Sequence, residues 1–94
     1  MPAVVACGHL RVAISTSGVA PALSGLMKED MEKIFSEEFA AFVDWLGQLR
    51  EQTKANEPDF EKRRALLREA LDGFRLLGKV QYPKVWLDKR AAKT

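Results

Sequence analysis

The sequence predicts a mainly α fold: one short N-terminal strand followed by a bundle of three to four helices, with the strand and first helix pairing with a second subunit. Three observations predict it. A β-branched alternation suited to a pleated strand, Leu10-Arg11-Val12-Ala13-Ile14, occurs near the start. From Pro21 onwards apolar residues recur at three- and four-residue steps, the period of amphipathic helices. The chain has 94 residues, and one this short buries a small share of its surface when helices of modest length are its material. A lone strand would also leave a row of backbone groups unpaired. Pairing strand with strand across a two-fold axis meets both needs.

In chain order, residues 1–9 are apolar without clear periodicity and read as a linker, with Gly8-His9 turning the chain into the strand. His9, the one imidazole, is expected to be a solvated turn residue. After Ile14 the hydroxyl-rich Ser15-Thr16-Ser17-Gly18 breaks the strand pattern. Pro21 then supplies a preset φ and no N–H, as a first helical residue should. Three hydroxyls and the positive end of a helix dipole therefore converge on one turn, a suitable place for an anionic group.

The first helix is predicted from Pro21 to about Phe35, with Leu23, Leu26, Met27, Met31, Ile34 and Phe35 on its packed face and Lys28 on the other. Ser36 with Glu37 and Glu38 reads as a cap and acidic first turn. The second helix follows to about Ala55, burying Phe39, Phe42, Val43, Leu46 and Leu49, with Gly47 marking a close helix contact. Asp59 caps a third, extending to about Leu77 with Phe60, Leu67, Leu71, Phe74 and Leu77 inward and Gly78 closing it. Lys62, Arg63, Arg64 and Arg68 form a basic cluster near its start, a solvated face or a contact for an anionic ligand or partner. After Pro83 a short helix is expected to pack Trp86 and Leu87 on the body, with Ala91–Thr94 frayed.

Composition excludes several classes. The net charge of +2, from 15 Lys plus Arg and 13 Asp plus Glu, is too small to argue for nucleic acid. Cys7 stands alone, and no Cys/His cluster has metal-ligand spacing. No apolar run approaches the roughly 20 residues a bilayer span needs, and no basic region precedes an apolar one at the N-terminus. The expected compartment is the cytoplasm, with no membrane partner.

Met1-Pro2-Ala3, Gly8-His9-Leu10 and Ala13-Ile14-Ser15-Thr16-Ser17-Gly18-Val19-Ala20-Pro21-Ala22-Leu23-Ser24 together resemble the middle region of the sirohaem (siroheme) synthase family. These are bifunctional precorrin-2 dehydrogenases and sirohydrochlorin ferrochelatases. The family run is roughly Met-Pro-Ala, a Gly-x-Leu turn, then Ala-Ile-Ser-Thr-Gly-Gly-x-Ser-Pro-x-Leu-Ala. Ser17 replaces the first glycine of its pair, and Ala20 replaces the serine before the proline.

The resemblance implies that residues 1–35 are linker, strand and first helix of a dimerisation region and 36–94 a C-terminal helical region. It places the NAD-binding Rossmann domain, and the family's essential aspartate, upstream of Met1. It also implies a homodimer whose cleft takes the tetrapyrrole, precorrin-2 or sirohydrochlorin. Ser15, Thr16, Ser17 and Gly18 are the substrate contacts it suggests. No catalytic, cofactor-binding or metal-binding residue is expected in the fragment itself. NAD serves the parent enzyme, and ferrous iron is its substrate. The competing expectation, from another class, is a free-standing helical dimerisation or protein-interaction module.

Overall fold

The computed structural model describes residues 2–92. Its elements run β1 Ala3–Cys7, β2 Leu10–Ile14, α1 Pro21–Ile34, α2 Glu37–Asn56, α3 Phe60–Ala70 and α4 Lys84–Ala92. The fold is mainly α. The N-terminal stretch corrects the sequence reading, because residues 3–7 are a second strand and not a linker. β1 and β2 pair antiparallel in the register Ala3↔Ile14, Val5↔Val12, Cys7↔Leu10. Gly8 has φ +57°, and a glycine with positive φ at the first central position is what a two-residue type II′ hairpin turn requires.

Alternation across the pleat puts Ala3, Val5, Cys7, Leu10, Val12 and Ile14 on one face. Val5 is fully buried there and Ile14 nearly so, and they are the only buried apolar side chains among the described residues. The opposite face carries Val4, Ala6, Arg11 and Ala13, all exposed. α1 packs on both strands, and the far end of β1 meets α2.

The hairpin tip is fastened to α2 by three successive residues. Cys7 Sγ donates to the Ser36 carbonyl at 3.2 Å. A side chain on Gly8 would stand 3.1 Å from Ala40 Cβ. His9 Nε2 lies 3.0 Å from Asp44 Oδ1. Ser36, Ala40 and Asp44 are four apart, so the tip lies along one stripe of the helix. His9 is solvated as expected, and also has this carboxylate partner.

α1 matches its predicted packed face only in part. Met31 and Phe35 are half-buried as predicted, but they share the inward side with Ser24, which is buried, and Lys28, which is half-buried. Leu23, Leu26, Met27 and Ile34 of the predicted face turn outward, at 50%, 60%, 42% and 51% exposed. A small residue at position 24 lets helix and hairpin approach, which turns the larger side chains away.

α2 follows its prediction. Phe39, Phe42, Val43, Leu46 and Leu49 are half-buried, and Thr53 Oγ1 donates to the Leu49 carbonyl at 2.7 Å. Gly47 is a correction, because a Cβ there would meet open space. α3 begins where Asp59 Oδ1 accepts the Glu61 N–H at 2.9 Å. It stops at Ala70, well short of Leu77, and Gly73 with φ +85° takes the chain out of the helix in place of Gly78. Phe74 thereby leaves the helical path and stacks on Phe42, ring centroids 5.6 Å apart.

α4 forms after Pro83 and includes Ala91 and Ala92, which were expected to fray; Lys93 and Thr94 lie outside the described residues. Trp86 and Leu87 are exposed and do not pack on the body. Trp86 instead meets Tyr82, with centroids at 5.0 Å, and carries the Arg90 guanidinium over its ring.

Candidate functional site

β2 delivers the chain into the turn at Ser15, and the turn is built from its own hydroxyls. Ser15 Oγ accepts the Ser17 N–H at 3.1 Å, and Thr16 Oγ1 accepts the Ala20 N–H at 3.0 Å. The Val19 N–H donates to the Thr16 carbonyl at 3.1 Å. Two residues in succession, Ser17 at φ +55° and Gly18 at φ +79°, then lie in the left-handed region. That region is costly for serine and free for glycine.

The four residues singled out from sequence are therefore one contiguous turn. Ser15, Ser17 and Gly18 are exposed and Thr16 is half-buried. The oxygens of Ser15 and Thr16 accept from backbone, which leaves each O–H proton available to an outside acceptor. Space is open above Gly18.

The start of α1 is left electrostatically open. Ala20, at its N-cap, supplies no capping side chain, and no acidic residue lies in the first turn. α2 has Glu37 and Glu38 in that place and α3 has Glu61. An external carboxylate at the head of α1 would thus meet a helix dipole that the chain has not neutralised itself. Among the described residues no three His, Cys, Asp or Glu side chains gather as a metal site would need. No described helix is long and apolar enough to cross a membrane.

The basic cluster is divided by the structure. Arg63 and Arg64 line a groove with Arg50 and Lys54 of α2, whereas Lys62 and Arg68 do not. The sequence reading missed this grouping, and also the His9–Asp44 pair, since residues so far apart carry no local signal of contact.

A hairpin and an anion-receptive helix start, on a chain with apolar side chains of its first helix facing outward, define a mainly helical module. No protein-family model matches the chain. By sequence it is related to one segment of the siroheme synthases. It is 34% identical over 76 residues to Siroheme synthase 3 of Aeromonas hydrophila subsp. hydrophila, covering 81% of this chain and 16% of that protein. It is 32% identical over 73 residues to Siroheme synthase of Xylella fastidiosa, covering 78% and 15%. With Siroheme synthase of Gluconacetobacter diazotrophicus it shares 35% over 72 residues, covering 77% and 15%. The chain thus matches about one sixth of the length of these curated relatives.

Proposed function

We propose that this chain is the dimerisation and tetrapyrrole-cleft portion of a siroheme synthase, working in the cytoplasm as a homodimer and inactive alone. The parent reaction is NAD-dependent oxidation of precorrin-2 to sirohydrochlorin, followed by insertion of ferrous iron. Ser15, Thr16, Ser17 and Gly18 receive substrate carboxylates: the hydroxyls donate, and the α1 dipole favours the negative charge. The described residues do not suit NAD themselves. Their two strands form an antiparallel hairpin, whereas a dinucleotide fold needs parallel strands and a glycine-rich turn. In this reading the dinucleotide is held by another part of the parent enzyme.

The observation that carries this reading is the exposure of apolar side chains Leu23, Leu26 and Ile34 on α1 and of the outer face of the hairpin. The chain exposes 8222 Å², where a compact monomer of its mass would expose about 5,400 Å². Its radius of gyration is 19.1 Å, against roughly 12 Å for a compact chain of this length. Residues 71–92, exposed throughout, supply much of both excesses, and a second subunit would cover the hairpin and the outward side chains of α1.

Sedimentation equilibrium over a concentration series tests the assembly. A dimer persisting at low micromolar concentration is expected, and a well-folded monomer overturns the reading. Uroporphyrin, a polycarboxylate tetrapyrrole, tests the cleft. Its binding should weaken when Ser15, Thr16 and Ser17 are all changed to alanine, and unchanged binding removes these residues from the site.

A further inference from the structure

The groove between the end of α2 and the start of α3 is rimmed by Arg50, Lys54, Arg63 and Arg64 above an apolar floor of Phe60 and Leu67. No carboxylate lines it. The close contacts between basic and acidic side chains among the described residues are His9–Asp44, Lys28–Glu32 and Lys84–Asp88, so none of the four rim cations has a carboxylate partner among them. Arg63 lies over the Phe60 ring, 5.8 Å from its centroid, yet Phe60 remains 61% exposed.

Helix electrostatics explain one member of the rim. Lys54 sits in the last turn of α2, where a helix dipole welcomes a cation. Arg50, Arg63 and Arg64 lie at or beyond the edges of the terminal turns, where that effect has faded. Four like charges around one groove repel one another, and an anionic partner would relieve that repulsion.

Size and charge select the occupant. The groove holds about 280 Å³, below the ~300–1,000 Å³ of pockets that enclose a whole small ligand. It suits one apolar side chain of a larger partner. The net charge is only +2, whereas a general polyanion surface would need many more cations than the four at this rim. We propose that the α2–α3 groove docks an acidic segment of a partner protein, with an apolar anchor on Phe60 and Leu67 and flanking carboxylates on Arg50, Lys54, Arg63 and Arg64. This proposal stands apart from the tetrapyrrole turn and does not rest on it.

The probe is a fluorescein-labelled, glutamate-rich peptide of about a dozen residues with one central leucine, followed by fluorescence anisotropy against the whole chain. Saturable binding is expected, about tenfold weaker in Lys54→Glu/Arg64→Glu and about tenfold weaker when the peptide leucine becomes serine, a loss typical of a removed anchor. Circular dichroism confirms that the variant keeps its helices; if it does not, Lys54→Gln/Arg64→Gln carries the same test. The proposal is overturned by absence of binding, by unchanged affinity in the folded variant, or by equal affinity for the serine peptide, which would mean charge attraction alone. Tighter binding of a single-stranded DNA oligonucleotide also overturns it, in favour of a nucleic-acid surface.

Discussion

Gly8→Ala should loosen the hairpin tip from α2 and cost about 2 kcal/mol of folding stability. Gly8 sits at φ +57°, where an L side chain costs about 1–2 kcal/mol. The new Cβ would stand 3.1 Å from Ala40 Cβ, and relieving that crowding adds about 1 kcal/mol. Restricting the unfolded chain returns about 0.5 kcal/mol. The assay is urea unfolding, followed by far-UV circular dichroism, of the native chain, Gly8→Ala, Ala40→Gly and the double variant. Ala40→Gly alone should cost about 1 kcal/mol, the usual helix penalty. In the double variant the crowding vanishes while the φ strain stays, so the two costs should fall short of additivity by about 1 kcal/mol. A Gly8→Ala variant within about 0.5 kcal/mol of the native chain would refute the strained turn. Strict additivity would refute the contact with Ala40.

Ser17→Gly should stabilise the chain by about 1 kcal/mol, since Ser17 holds φ +55°, and should raise Tm by roughly 4–8 °C. Gly47→Ala should add a similar amount, because the new Cβ enters open space on α2; a fall in Tm would show that another surface already occupies that space. Leu26→Asp, at a side chain that is 60% exposed, should leave helicity intact and shift the sedimentation equilibrium towards monomer by at least about tenfold, as expected for a charge buried in an apolar interface.

The starts of the helices were readable because each is written locally: Pro21 presets φ, and Asp59 caps the next N–H groups with its own carboxylate. β1 was not readable. Val4 and Ala6 on its outer face are as apolar as Ala3 and Val5 on its inner face, so the period of two has no contrast to show. The end of α3 failed for the opposite reason, since Leu71, Phe74 and Leu77 keep a helical period across a break that Gly73 makes in the backbone. Periodicity also grouped the apolar side chains of α1, of which Met31 and Phe35 turn inward while Leu23, Leu26, Met27 and Ile34 do not. That depended on Ser24, whose small side chain fits under the hairpin. Of the site, the strand–turn–helix path and its hydroxyls were legible. The hydrogen bonds of Ser15 and Thr16 to their own backbone arise from turn geometry and were not.

Val5 and Ile14 are the described chain's only buried apolar side chains, and this governs how long an unassembled copy survives. So small a shielded core sets a low free energy for local opening, and the opened chain is what proteases and chaperones recognise. A copy with its outward faces bare would be cleaved sooner than one whose faces are covered, so its lifetime would rise with its own concentration if two copies shelter each other.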